Sequence, residues 1–299
     1  MSDIEYLIID WGTTNFRAFA ITHAGQCTDK IEKKMGLLSI EERRFADSLA
    51  EILVNWLDDY QTYPIFMAGM VGSANGWVDA GYVETEASIT SLADNLHHFT
   101  LPWGAPAYIV PGVSHTDTTG IIDVMRGEEV QVFGLQSLCD QDAFYALLPG
   151  THSKHVSIEQ QNITQLSTYM TGEMFSLLVQ HSILGKSLPE QIEDRGTFER
   201  GVLQAQNKHS LLTQIFSART HLLFNNIAPY HVHSFISGLL IGHELMFVNE
   251  RVYIVGGENL SERYLHACQL LGIRAQTFEG DMCFITGIQK IKECIHEIF

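Results

Sequence analysis

Apolar runs that end in clusters of small and hydroxyl-bearing residues recur along the chain. Tyr6-Leu-Ile-Ile-Asp10 is followed by Trp11-Gly-Thr-Thr-Asn15, and Phe144-Tyr-Ala-Leu-Leu148 by Pro149-Gly-Thr-His-Ser-Lys154. A third version is Val252-Tyr-Ile-Val255, followed by Gly256-Gly-Glu-Asn259. Short apolar runs bounded in this way predict buried strands that end in turns. After the first turn, Phe16, Ala18 and Ala20 alternate with Arg17, Phe19 and Ile21. Both sets are largely apolar, so the turn is predicted to join two strands as a hairpin. After the second turn, His155-Val-Ser-Ile158 again reads as extended. The third turn runs instead into residues 261–271, where Tyr264, Cys268 and Leu271 recur at helical spacing.

Further helices follow from the same periodicity. Phe45, Leu49, Ile52, Leu53, Trp56, Leu57 and Tyr60 fall on one helical face, with Glu51, Asn55 and Asp58 opposite. Phe284, Ile288, Ile291, Ile295 and Ile298 do the same near the C-terminus, and residues 172–183 and 234–248 read as helical. Strands alternating with helices in both halves indicate an α/β protein. A boundary is expected near Leu138, giving domains 1–138 and 139–299, which suits a chain of 299 residues.

Composition narrows the function classes. With 45% hydrophobic and only 18% charged residues, the chain is globular rather than disordered. Its formal charge of −17 argues against a sequence-independent grip on nucleic acid or anionic lipid, which both need a basic surface. The first residues carry Asp3 and Glu5 and no early basic residue, unlike a signal peptide. The longest uncharged stretch, 220–243, is broken by Asn225, Asn226, Pro229 and three histidines and does not suit a bilayer span. The five cysteines form no C-x-x-C pair, so neither a disulfide framework nor a zinc site is indicated. A cytoplasmic protein is expected.

A Gly- and Thr-rich hairpin turn can aim N–H and hydroxyl groups at a phosphate, because Gly lets the backbone approach closely. Asp10, ending the strand before Gly12, Thr13, Thr14 and Asn15, is well placed to hold Mg²⁺ on that phosphate, directly or through water. Taken singly, such a turn is by default an unliganded tight turn. Other nucleotide signatures fail. Gly185-Lys186-Ser187 imitates the end of a Walker A loop, but Gln180 stands where its first Gly must be, and no G-x-G-x-x-G follows a strand.

Six blocks together carry a family resemblance. They are Asp10-Trp-Gly-Thr-Thr-Asn-Phe-Arg17, Met67-Ala-Gly-Met-Val-Gly72, Met125-Arg-Gly-Glu-Glu129, Pro149-Gly-Thr-His152, Met170-Thr-Gly-Glu173 and Ser237-Gly-Leu-Leu-Ile-Gly242. In this order, and spread over nearly the whole chain, they resemble the 2-dehydro-3-deoxygalactonokinase family of the actin-like ATPase and sugar kinase superfamily. The resemblance implies two ribonuclease-H-like domains with a cleft between them, ATP and Mg²⁺ as cofactors, and a 2-keto-3-deoxy sugar acid phosphorylated at its 6-position. It also implies that Gly150, Thr151 and His152 form the second phosphate turn, with Lys154 beside it as a phosphate partner. Gly256 and Gly257 would lie near the adenosine. Two departures stand out. Ser153 and His155 replace a cysteine and a tryptophan of the family pattern, and Glu258-Asn259 replaces a Thr-Ser pair at the third turn.

Phosphoryl transfer needs a carboxylate to orient the attacking hydroxyl. In this superfamily it precedes the helix leading to the second turn, which nominates Glu128, with Glu129 and Asp117 as rivals. Helix-start acids that merely complement the dipole are the plainer alternative. The substrate carboxylate calls for cationic partners. Arg126 and Arg17 qualify because a guanidinium matches a carboxylate with two parallel hydrogen bonds. Asn75 and Trp77 would line the sugar pocket or simply pack a loop. His152/His155 and His231/His233 lack a third ligand at metal-site spacing. The expected reaction is ATP-dependent phosphorylation of 2-dehydro-3-deoxy-D-galactonate. Alternatives are a polyphosphate or nucleotide phosphohydrolase of the same superfamily and a non-catalytic actin-like sensor. Substrate stereochemistry and association into a homo-oligomer stay open at this level.

Overall fold

The structure, a computed structural model, describes residues 3–139, 141–207, 209–249 and 251–298; for Glu41 and residues 296–298 it describes the backbone alone. The chain forms two compact units. The first comprises Met1–Ala143, Val156–Leu166 and Gly280–Phe299, and the second Phe144–His155 and Ser167–Glu279. Both are assembled from separated segments, whereas the hydrophobic pattern suggested a single break near Leu138. That residue belongs to a helix, and the final helix of the chain counts with the first unit.

The first unit contains strands β1 (Ile4–Trp11), β2 (Phe16–Thr22), β3 (Cys27–Lys33), β4 (Ile65–Ala68), β5 (Tyr82–Glu84), β6 (His97–Thr100), β7 (Pro106–Ile109), β8 (Gly112–Thr116) and β9 (Ile122–Met125). Its helices are α1 (Phe45–Val54), α2 (Ile89–Asp94) and α3 (Glu128–Cys139). The main sheet has the order β3-β2-β1-β4-β7-β6, and β5-β8-β9 form a small second sheet. The predicted hairpin is present: β1 and β2 pair antiparallel, with Asp10 opposite Arg17 and Trp11 opposite Phe16. On its other side β1 runs parallel to β4, so Asp10 sits at the carboxyl end of a central strand. Open α/β sheets bind ligands at that end.

Helix α1 is shorter than its periodicity suggested. Asn55 caps it, donating its side-chain amide to the Glu51 carbonyl, and Trp56, Leu57 and Tyr60 lie beyond its end. They still pack on the same core as Leu7, Ile9, Trp11 and Leu49, which is why they looked like helix positions.

The second unit contains β10 (Phe144–Leu148), β13 (Val252–Gly256) and β14 (Ala275–Glu279), with the start of β11 (Ser153–Glu159) and the end of β12 (Asn162–Tyr169), whose residues 156–166 count with the first unit. Its helices are α4 (Thr171–His181), α5 (Arg195–Ala205), α6 (Leu211–Ile215), α7 (Ser217–Leu223), α8 (Val232–Glu244) and α9 (Glu258–Leu271). The order of the five-stranded sheet, β12-β11-β10-β13-β14, repeats the order β3-β2-β1-β4-β7 of the six-stranded sheet. The strand–turn–strand pattern seen twice in the sequence therefore opens the same arrangement in each of these two sheets. Gly201, Gly238 and Gly242 let α5 and α8 approach closely: a Cβ on Gly238 would lie 2.0 Å from the Phe198 carbonyl oxygen. The glycines of the 237–242 block thus serve helix packing.

The last helix, α10 (Gly280–Ile298), packs against α3 through Gly134 and Gly287, where added Cβ atoms would collide with backbone carbonyls. Phe284, Ile288 and Ile291 form its buried face; the side chain of Ile298 lies outside the described residues.

Candidate active site

In the first unit, the hairpin turn at Gly12–Asn15 is held from beneath. Gly12 N–H donates to the Asn15 carbonyl at 2.9 Å, and the carbonyls of Gly12, Thr13 and Thr14 accept from Leu37, Leu38 and Gly36. Gly36 is required there, since a Cβ would stand 2.3 Å from Thr13 C and Thr14 N. With its carbonyls engaged, the exposed turn presents the N–H groups of Thr13 and Thr14. Trp11 anchors the base, stacking edge-on against Phe16 at 5.1 Å and donating Nε1–H to the Met35 carbonyl.

Asp10 belongs to a charged cluster. Arg17 Nε donates to Asp10 Oδ2 at 3.1 Å, Nη2 contacts the same oxygen, and Nη1 holds Asp281 in the first turn of α10. Lys30 of β3 also pairs with Asp281. Burial raises the Asp10 carboxyl above its ordinary range, while the Arg17 cation opposes that shift. Arg17, expected to meet a substrate carboxylate, is thus committed to two carboxylates of its own chain. Asp281 carried no sequence signal, because 264 positions separate it from Arg17.

Beside Asp10 the backbone closes in. A Cβ on Gly69 (φ +96°) would lie 3.2 Å from Asp10 Oδ1, and one on Gly127 (φ +101°) would lie 3.1 Å from the Gly69 Cα. The Met67–Gly72 and Met125–Glu129 blocks therefore meet next to Asp10 through two left-handed glycines.

Glu128 and Glu129 open α3 and point differently. Glu128 is half-buried, and its Oε2 accepts from the Arg126 N–H at 3.0 Å. Glu129 is fully buried, with both oxygens turned back onto the Gly127 N–H at 2.8 and 2.7 Å. Desolvation, helped by the neighbouring Glu128 charge, pushes the Glu129 carboxyl up to about 8.

Arg126 is buried, donates Nη2–H to the Gly81 carbonyl at 2.9 Å and lies 4.3 Å from the centre of the Tyr82 ring. Among the described residues its buried Nε and Nη1 have no partner. Unpaired buried donors are costly, which sets Arg126 apart from the paired Arg17.

Other nominated residues have different surroundings. Asp117 is half-buried at the tip of the β8–β9 hairpin, where its carboxylate accepts from Thr119 and the Ile121 N–H; those bonds lower its pKa. It caps a turn and does not join the Glu128 group. Trp77 packs in the core against Trp11, Phe45 and Phe99, so it fits the packing alternative, while Asn75 is exposed.

In the second unit, Gly150, Thr151 and His152 connect β10 to β11. The N-terminus of α4 leans on this turn: Glu173 N–H donates to the Thr151 carbonyl at 2.9 Å, and a Cβ on Gly172 would collide with Gly150 O. His152 pairs with Glu173 at the surface. Lys154, expected at a phosphate, is buried and donates to Thr168 Oγ1 at 2.7 Å. His155 is buried rather than metal-binding in character, with Glu244 and Tyr145 as partners. At the third turn Gly256 ends β13 and Gly257 precedes α9, with open space around Gly257. A cavity of about 920 Å³ adjoins the start of α9, lined by Asn259, Glu262 and Arg263 together with Phe175, His233 and Ser237.

Mg²⁺ keeps several waters and uses one or two protein carboxylates plus substrate phosphates. Asp10 fits that role, since Arg17 occupies Oδ2 and Oδ1 faces Gly69. Among the described residues no group of three His, Cys, Asp or Glu side chains forms a metal cage.

The repeated strand order and the paired turns define the class, an actin-like two-unit α/β fold. A solved structure of the Clostridium difficile activator of 2-hydroxyisocaproyl-CoA dehydratase, with bound ADPNP, shares this fold (TM-score 0.50, 9% identity, 98% of this chain and 96% of that one). The model of the 2-keto-3-deoxy-galactonokinase family matches residues 10–291. An Escherichia coli (strain K12) 2-dehydro-3-deoxygalactonokinase is 34% identical, over 97% of this chain and 98% of its own. A crystal structure of a Sinorhizobium meliloti protein assigned the same kinase name superposes with a TM-score of 0.89 at 28% identity, covering 97% and 96% of the two chains. The chain belongs to the 2-keto-3-deoxy-galactonokinase family.

Proposed function

We propose that the protein transfers the γ-phosphoryl group of ATP to the 6-hydroxyl of 2-dehydro-3-deoxy-D-galactonate. The observation that carries the sugar-acid part is Arg126, a buried guanidinium with two N–H groups lacking protein partners, two residues from a half-buried carboxylate. A substrate carboxylate would accept a charge-assisted hydrogen bond from one of these donors. Glu128 would then lie near the far end of a short polyol chain.

The residues divide the work as follows. Glu128 accepts the proton of the attacking hydroxyl as the new O–P bond forms and the β–γ bridging bond breaks, releasing ADP. Glu129 is less suited: its oxygens face the Gly127 N–H, and burial favours its protonated form. The first turn offers N–H groups to ATP phosphates, as does the second turn from its own unit. Asp10 would hold Mg²⁺, whose chemistry there would be neutralisation of phosphate charge. Gly256, Gly257 and the cavity beside α9 suit the adenosine. Among the described residues no helix is long and apolar enough to cross a membrane, and all five cysteines are free thiols, in keeping with a cytoplasmic enzyme.

The test is ADP formation with purified protein, ATP and Mg²⁺, with and without sugar acid. Turnover should depend on the galactonate derivative and exceed that with the gluconate derivative. Phosphate release from polyphosphate or ATP, unaffected by sugar acid, would show a hydrolase instead. Arg126→Lys should raise the sugar-acid KM by at least about tenfold while leaving the ATP KM near wild type.

A further inference from the structure

The second turn is fastened to one buried carboxylate. Glu244 is the last residue of α8, and its side chain is 1% exposed. This is a poor place for a charge. A helix C-terminus disfavours an anion, and burial strips away its water. For stability alone, an apolar residue would serve better there.

What surrounds it accounts for the charge. Glu244 Oε1 accepts from His155 Nε2 at 3.0 Å, and Oε2 accepts from the hydroxyls of Tyr264 and Thr171. Tyr264 OH in turn meets Ser153 Oγ at 3.1 Å, and Ser153 Oγ accepts a long 3.4 Å contact from the Gly150 N–H. An ionised carboxylate only accepts, so the donors run one way, from Gly150 through Ser153 and Tyr264 to Glu244. Burial and the Glu244 charge raise the Tyr264 pKa well above its ordinary value, which keeps that hydroxyl a donor. The other flank ends on the same carboxylate. Thr171 is the first residue of α4, whose Glu173 N–H holds the Thr151 carbonyl and whose Gly172 lies against Gly150.

Both sides of Gly150–His152 are therefore tied to a single side chain far away in sequence. Ser153 and His155 are both members of the network. Their polar side chains supply two of the links that run to Glu244.

We propose that Glu244 is the positioning residue of the second turn, fixing its N–H groups for the ATP phosphates through Tyr264–Ser153 on one flank and Thr171 on the other. The proposal rests on the phosphate reading of that turn. It touches neither the sugar acid nor the base, so its effect belongs to the ATP KM.

Four variants test it in steady-state kinetics with ATP and sugar acid varied separately. Tyr264→Phe cuts the Ser153 arm with minimal change in volume, and Glu244→Gln places an amide donor among hydroxyl and imidazole donors. Each is expected to raise the ATP KM, about threefold to tenfold for Tyr264→Phe and more for Glu244→Gln, with the sugar-acid KM within twofold of wild type. Thr171→Ser, which keeps the hydroxyl, should stay near wild type. If Glu244→Gln does not fold, Tyr264→Phe decides alone. A folded Tyr264→Phe protein with a wild-type ATP KM overturns the proposal. Thr151→Ala, in the exposed turn itself, separates the two layers. If it raises the ATP KM while Tyr264→Phe does not, only the positioning role is lost. If neither moves the ATP KM, the phosphate reading of the turn fails, and the proposal fails with it.

Discussion

Nε of Arg17 donates to Oδ2 of Asp10 at 3.1 Å, and the same guanidinium holds Asp281 on its other side. The two carboxylates are only 17% and 16% exposed, so neither is well screened by water. Arg17 thereby keeps Asp10 usable as an anion in a place where burial favours the protonated form. In a double-mutant cycle with Arg17→Met and Asp10→Asn, the two should couple by about 1–2 kcal/mol in urea unfolding. Asp10→Asn alone should lower kcat by at least about 100-fold, as expected for a lost phosphate-bound cation. A coupling near zero would mean that Arg17 has no electrostatic hold on Asp10.

Glu128→Gln nearly preserves size and removes the charge. A lost general base typically costs about 10²–10⁴ in rate, so kcat should fall into that range with both KM values within a few-fold of wild type. The side chain is half-buried and its backbone contact to Arg126 can persist through the amide oxygen, so the unfolding midpoint should hardly move. Wild-type kcat in a folded variant would remove Glu128 from the mechanism.

Gly36 supports the first turn from a distance in sequence. A Cβ there would sit 2.3 Å from Thr13 C and Thr14 N, both backbone atoms that cannot rotate away. Gly36→Ala must displace the turn. The expected result is an ATP KM raised by about tenfold or more and a stability loss of about 1–3 kcal/mol. Unchanged ATP kinetics would detach this turn from the nucleotide.

These sites differ in how far local sequence announces them. The β1–turn–β2 hairpin was legible because two apolar runs flank a Gly-Thr-Thr-Asn cluster, and α10 because its apolar positions keep a helical period. Strand β3 was not, since its residues are mostly exposed and charged and it pairs with β2 as an edge strand. Helix α1 looked too long because Trp56, Leu57 and Tyr60 return to the same core after the chain has left the helix. The candidate site follows the same division. Asp10, the turns and the Glu128/Glu129 pair sit in local motifs, and Arg126 lies inside one of them. Asp281 and Glu244 appear as ordinary helix acids until the fold brings Arg17 to the first and Tyr264, Thr171 and His155 to the second. Arg17 and Lys154 looked like free cations because their partners, Asp281 and Thr168, belong to other elements.

Glu129 should make stability depend on pH. Its carboxyl is pushed from 4.5 up to about 8, first by burial and then by the Glu128 charge, with the Gly127 N–H opposing. Below about 4.5 the folded and unfolded chains both carry this proton, and above about 8 both have released it. Between these limits the folded state holds a proton that the unfolded state has lost, so stability falls as pH rises through the window. Converted at 1.36 kcal/mol per pH unit, the shift sets an upper bound of about 4–5 kcal/mol. Glu129→Gln cannot ionise and keeps an oxygen for the Gly127 N–H. Relative to wild type it should be equally stable at pH 4.5 and increasingly more stable toward pH 8, by about 2 kcal/mol or more, in urea unfolding at each pH. A margin that stays flat from pH 4.5 to 9 would mean that Glu129 is ionised in the folded protein, and it would return Glu129 to contention as the base.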